Sequence, residues 1–280
     1  MFKNILVHVP SERPVRPVID VAISLAVVRR SRLDAIAIGY ESMSAVGMMV
    51  GGGGAAVAAV MGVENERAQE RADAAISVFE IEAKLANIAY GTRTLVAIPA
   101  DAEETIGELA RLYDLTVVLQ PEASGSSYDN IIPQAVLFNS GGPMLMVPYT
   151  QKGPLDTRHV GIAWDGGRLA ARALRDALPF LTSAEVVTVI TVNEDRQAAR
   201  EASSDRVVSH LERRGITARI EQLTADRDNV QGTILSIAAD TNIGLLAMGG
   251  YGHSRLKERI LGGVTRGTFD WMTVPVLMSH

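Results

Sequence analysis

Two stretches of this chain end alike. An apparent helix leads into Gly141-Gly142-Pro143-Met144-Leu145-Met146-Val147-Pro148 in the first half and into Trp271-Met272-Thr273-Val274-Pro275-Val276-Leu277-Met278 in the second. Upstream of each ending, short apolar runs alternate with segments of helical periodicity, in the same order. The first half has expected strands at 5–9, 33–40, 92–98, 115–119 and 143–147, with helices at 18–28, 64–86, 102–113 and 131–138. The second half has strands at 159–164, 184–192, 216–223, 243–248 and 274–278, with helices at 169–181, 196–214, 230–239 and 264–272. A tandem duplication accounts for both series. The polar, Gly-Pro-containing segment YTQKGPLDT at 149–157 reads as the linker, dividing the chain into domains 1–149 and 158–280.

Strands alternating with helices predict an α/β fold. The expectation is two tandem doubly wound domains, each a five-stranded mainly parallel sheet with helices on both faces. Right-handed crossovers would then set a ligand crevice at the carboxyl ends of the strands, where the strand order reverses. The 280 residues suffice for two such domains, and 47% apolar with 21% charged residues suits a substantial core. A net charge of −5 offers no basic field for nucleic acid. The absence of cysteine excludes disulfides and thiolate chemistry and agrees with a cytoplasmic protein. The uncharged stretch 42–63 is long enough for a membrane span, but its glycines and modest hydropathy favour a flexible loop running into a helix.

The chemistry-bearing stretch is LLAMGGYGHSRLKERILGGVT, 245–265. After an apolar run come Gly249, Gly250 and Gly252, and ten residues past Gly252 stands Gly262, followed by Gly263 and an expected helix. Glycines at a strand end allow a sharp turn and close backbone approach to a ligand. Amides opened at a following helix start suit phosphate. Asp165, after the first strand of the same half, would reach the same crevice. Neither a Gly-x4-Gly-Lys-Ser/Thr loop nor a Gly-x-Gly-x2-Gly fingerprint occurs.

Three groups of residues resemble the universal stress protein family. They are Ala163-Trp164-Asp165-Gly166-Gly167, Met248-Gly249-Gly250-Tyr251-Gly252-His253 and Gly262-Gly263-Val264-Thr265. The resemblance implies a stress-response or regulatory role in which the second half binds ATP or a related adenine nucleotide, with Mg2+ as a companion ion. By position it assigns Trp164, Asp165, Val192, Met248, Gly249, Gly252, His253, Gly262, Gly263, Val264 and Thr265 to nucleotide binding. Asp165 would lie beside the nucleoside, Val192 would pack on adenine and the glycine group would hold ribose and phosphates. The family pattern usually has Ser or Thr where Gly263 stands, and one lost side-chain hydrogen bond costs on the order of 1 kcal/mol. Each residue also has a structural reading: Asp165 as a helix cap, Gly249 and Gly250 as a turn, His253 as a surface residue and Val192 as core.

The first half departs much further from that pattern. Val9-Pro10-Ser11-Glu12 follows its first strand without an Asp, and Gln120-Pro121-Glu122-Ala123-Ser124-Gly125 replaces the glycine pair. Pro121 removes an amide donor and Glu122 would repel phosphate. This half reads as a retained fold with a lost site. The histidines His8, His159, His210, His253 and His280 lack zinc-ligand spacing, and no catalytic residue or metal site is expected. Enzymatic activity would be at most slow ATP hydrolysis, and a nucleotide-independent dimerising scaffold remains the other reading. The family resemblance further implies that the last strands, 144–147 and 274–277, pair across an interface and support a homodimer, since an open edge invites pairing.

Overall fold

A computed structural model describes residues 2–41, 54–122, 125–194, 201–226, 229–250 and 272–280. The first half supplies β1 (Asn4–His8), α1 (Arg16–Arg29), β2 (Arg32–Tyr40), α2 (Gly54–Leu85), β3 (Tyr90–Ala97), α3 (Pro99–Ala110), β4 (Leu115–Leu119), a 3-10 turn (Tyr128–Ile131), α4 (Ile132–Asn139) and β5 (Met144–Val147). The second supplies β6 (His159–Ala163), α5 (Arg168–Leu181), β7 (Val186–Val192), α6 (Ser204–Glu212), β8 (Ala218–Leu223), α7 (Val230–Asp240), β9 (Leu245–Gly249) and β10 (Val276–Ser279). The expected helix at 264–272 falls almost wholly outside the described residues, as do 42–53 of the expected loop and the start of the helix expected at 196–214.

Local chemistry explains where these elements begin and end. Pro17 and Pro99 stand in the first turns of α1 and α3, where a missing amide costs nothing. Arg30 closes α1 in the left-handed conformation, φ 52°, and its amide returns to the Ala26 and Val27 carbonyls. In α2 the residues Ala68, Ala72, Ala75, Ile76, Phe79 and Ala83 are buried, a stripe at three- and four-residue spacing. Strands β4, β5 and β10 are buried along their whole length, the mark of a sheet covered on both faces.

The ten strands among the described residues belong to one sheet in the order β3-β2-β1-β4-β5-β10-β9-β6-β7-β8. Within each half the pairings are parallel, giving the two doubly wound five-stranded units that the alternation predicts. The halves are fused by antiparallel pairing of β5 with β10, Met144 opposite Met278 and Leu145 opposite Leu277. The expected pairing of last strands is therefore real but internal to one chain. Each of these strands has a neighbour on both sides, so neither has an edge left for a second chain, which corrects the expectation of a homodimer through them. The sheet's edges are β3 and β8.

Helices α1, α2, α5 and α6 cover one face and α3, α4 and α7 the other. The first of these cores runs without interruption from one half into the other: Phe2 of the first half packs on Phe180 of the second, ring centroids 5.3 Å apart. Arg29 lies over the same Phe180 ring at 5.2 Å and donates to the Ser183 hydroxyl. No helix among the described residues is long and apolar enough to cross a membrane.

Candidate functional site

Strand order reverses between β6 and β9 in the second half and between β1 and β4 in the first, so each half has one switch-point crevice. Because β5 and β10 are antiparallel, the two crevices open at opposite ends of the sheet.

In the second crevice, Asp165 follows β6 and is exposed. Its Oδ1 accepts the Gly167 amide at 2.7 Å, a turn that Gly166 permits with φ 74°. The chain then enters α5 at Arg168 with Gly167 as the N-cap and no side-chain cap hydrogen bond, so Asp165 closes the turn before the helix and does not cap it. Val192 ends β7 half-buried. Gly249 ends β9 against the first turn of α5, where a Cβ would fall 2.7 Å from both the Ala170 nitrogen and the Leu169 carbonyl carbon. That approach alone requires glycine. Gly250 donates its amide to the Ser279 carbonyl at 2.9 Å and faces Leu137 of α4, a residue of the other half.

Two sequence-assigned residues are buried. Trp164 is buried on the α5–α6 face, its indole N–H donating to the Ala202 carbonyl at 2.8 Å. Met248 is buried on the opposite face of the sheet. Asp165, Val192 and Gly249 remain as the described residues brought together at the ends of β6, β7 and β9. Gly252, His253, Gly262, Gly263, Val264 and Thr265 lie outside the described residues.

The first crevice holds a polar cluster. His8 ends β1 and Tyr40 ends β2, both buried. Glu12 and Arg13 come from the loop after β1, Gln120 and Glu122 follow β4, and Ser127 to Asn130 lead into α4. Arg13 is 8% exposed and donates through Nη1 to the Gln120 carbonyl at 2.6 Å and to Asn130 Oδ1 at 3.2 Å. Its Nη2 lies 3.4 Å from Glu122 Oε1. Glu12 Oε2 accepts the Tyr128 amide and the Ser127 hydroxyl, each at 2.9 Å. Asp129 Oδ2 accepts the Glu12 amide at 2.9 Å. The loop after β1 and the loop after β4 are thereby tied together across the switch point.

Burial sets the charges in this cluster. Burial raises the Asp129 carboxyl from 3.8 to about 6, against the opposing pull of the Glu12 amide. Burial, helped by the Arg13 cation, drives His8 from 6.5 down to about 3, so its imidazole is neutral. Its Nε2 stands 3.7 Å from Asp129 Oδ1, too far for a hydrogen bond. His8 Nε2, Asp129 Oδ1 and the Tyr40 hydroxyl are all buried without a well-formed hydrogen bond. The sequence reading missed this cluster because its members follow no motif and come from separate parts of the first half. The one available signal was an Asp129-Asn130 pair just before the expected helix.

Residues 156–280 match the model of the universal stress protein family. The carboxy-terminal half belongs to the universal stress protein family. Universal stress protein Slr1230 of Synechocystis is 31% identical over 109 residues, which cover 39% of this chain and 35% of that protein. The match thus spans about a third of that relative's length. Among solved structures, a universal stress protein from Archaeoglobus fulgidus matches with a TM-score of 0.70 at 15% identity, covering 98% of this chain and 97% of that one. A putative universal stress protein from Pseudomonas aeruginosa matches with a TM-score of 0.61 at 14% identity, covering 99% and 93%. At these identities the likeness shows the fold alone, and it spans both halves.

Proposed function

We propose that this universal stress protein acts as a regulatory, cytoplasmic stress-response protein whose second half binds ATP or a related adenine nucleotide. The observation that carries the reading is the meeting of Asp165, Val192 and Gly249 at the ends of β6, β7 and β9, beside a switch point. They are the members of the sequence pattern that a crevice ligand could touch among the described residues. Asp165 would hold the nucleoside by its hydroxyls, Val192 would pack on the base, and the glycines from Gly249 to Gly263 would admit the phosphates, with Mg2+ as counter-ion. On this reading the chain divides functionally into 1–149, without a nucleotide, and 158–280, with one. Self-association would use a surface other than β5 and β10, and turnover of ATP would be slow or absent.

Equilibrium dialysis with labelled ATP and Mg2+ tests the proposal. Binding in the micromolar range, lost in Gly252→Val and weakened at least several-fold in Asp165→Ala, is the expected outcome. Protein free of carried-over nucleotide that retains no ATP up to millimolar concentration would overturn it. One observation favours a second reading, a nucleotide-independent scaffold: Gly249 is already required by its packing on α5. That reading predicts Gly252→Val to be silent in every ligand assay.

A further inference from the structure

Helix α2 is longer than the sheet it covers. Its 32 residues rise about 48 Å, against about 30 Å for the nine residues of β2. It runs opposite to the strands: Gln69 Nε2 donates to Thr94 Oγ1 at 3.0 Å, and Phe79, further along, meets Tyr90 with ring centroids 5.9 Å apart. Gly39, the penultimate residue of β2, lies so close to the Ala68 carbonyl that a Cβ there would clash. From Ala58 onward, Ala68 is also the first buried residue of the helix. Residues 54–67, about 21 Å of helix, therefore project past the carboxyl edge of the sheet.

This projection is bare and apolar. Gly54 to Val63 holds no charged, hydroxyl or amide side chain. Ala58, Ala59 and Gly62 are exposed, as are Val60 at 54% and Val63 at 47%. A helix apolar on every side is ordinarily a buried one. Gly62 points the same way independently. A Cβ built on it meets nothing within 4 Å, so no packing within this chain calls for glycine there. In a helix interior glycine is disfavoured more than any residue but proline. It serves where a second backbone must approach closely. Ala59, Gly62 and Val63, spaced at i, i+3 and i+4, form one face.

We infer that this projection is a self-association surface: the 54–67 segments of two copies of the chain pack antiparallel about a two-fold axis near Met61, with Ala59 and Gly62 at the crossing. Charge selects the direction. A parallel pair would bring the two Glu66 carboxylates together, whereas an antiparallel pair carries them to opposite ends. Glu64 is already paired with Arg67 Nη1 at 3.0 Å. Length agrees, because each tip then reaches the level of the other copy's Ala68 and so the rim of its sheet. A helix about 10 Å across would lose roughly 600 Å² per copy, about 1,200 Å² in all, at the low end of specific interfaces. The acidic residues Glu64, Glu66 and Glu70 and the net charge of −5 disfavour an anionic lipid surface as the occupant. The inference stands whether or not the second half binds a nucleotide.

Sedimentation velocity of the whole chain from about 1 to 200 µM tests it, and a reversible monomer–dimer equilibrium is expected in that range. Gly62→Leu fills the crossing but adds a good helix former in open space. It should weaken the dimer about tenfold or more while the melting temperature of dilute, monomeric protein holds or rises. The chain lacks cysteine, so single cysteines report position. A short bis-maleimide should join Ala59→Cys into a covalent dimer and leave Ile81→Cys, 57% exposed on the same helix beside the sheet, unjoined. A wild type that stays monomeric throughout, free or bound to phosphatidylcholine vesicles, would overturn the assignment. So would a dimer indifferent to Gly62→Leu, equal cross-linking at both positions, or a melting temperature that falls in Gly62→Leu.

Discussion

His8 and Asp129 sit 3.7 Å apart, and burial moves their proton affinities in opposite senses. Asp129 is raised from 3.8 to about 6, so its contribution to stability is fully present below about 3.8 and is lost as pH rises through about 6. His8 is lowered from 6.5 to about 3, so its contribution is present above 6.5 and is lost as pH falls toward about 3. Between about pH 4 and 6 the two dependences oppose each other and largely cancel. Each substitution should uncover the partner's slope. Relative to wild type, His8→Gln should gain stability as pH falls across that window, and Asp129→Asn should lose it, by up to about 1.4 kcal/mol per pH unit in each case. Urea midpoints at a series of pH values read both slopes. Parallel curves for the two variants would contradict the assignment.

At the scale of elements, β9 and α5 define the second crevice because they approach closely at Gly249. Of the atoms that a Cβ would strike, the Ala170 nitrogen and the Leu169 carbonyl carbon are backbone and the third, Leu169 Cβ, is fixed to it, so none has a rotamer to yield. Gly249→Ala should therefore destabilise by about 1–3 kcal/mol in denaturant unfolding even without ligand. A neutral result would mean that β9 and α5 can separate at little cost. The order of strands and helices was legible from periodicity because most strands here are covered on both faces and read as unbroken apolar runs, as in LTVVL of β4. The start of α2 was not legible. Gly54 begins that helix, ten residues before the periodic stripe opens near Glu64, because the intervening Ala, Val and Met residues have no polar face to mark a phase. At the site, the chain positions of Asp165, Val192 and Gly249 could be read from sequence. The commitment of Trp164 to the Ala202 carbonyl could not, since it depends on which face of β6 its side chain takes. The hydrogen bonds of Ser127 and Tyr128 to the Glu12 carboxylate were equally invisible, being made by residues more than a hundred positions apart.

For the whole molecule, the antiparallel seam between β5 and β10 turns two α/β units into one sheet with a continuous core on the α1–α2–α5–α6 face. Contacts between the halves are apolar at Phe2 and Phe180 and at Leu137 with Gly250, and polar where Arg172 donates to the Gly141 carbonyl; in the linker, the Leu155 amide donates to the Ser24 hydroxyl. The halves should therefore unfold together, in one calorimetric transition, and two resolved transitions would contradict a shared core. The two halves share one strand arrangement while their crevices differ, one holding the polar cluster around Arg13 and Asp129 and the other lined by Asp165, Val192 and Gly249. The most direct test of this account is a calorimetric titration of the whole chain with ATP and Mg2+, read for stoichiometry. The account predicts one nucleotide per chain, abolished by Gly252→Val and unaffected by Ser127→Ala. Two nucleotides per chain, or none up to millimolar concentration, would contradict it.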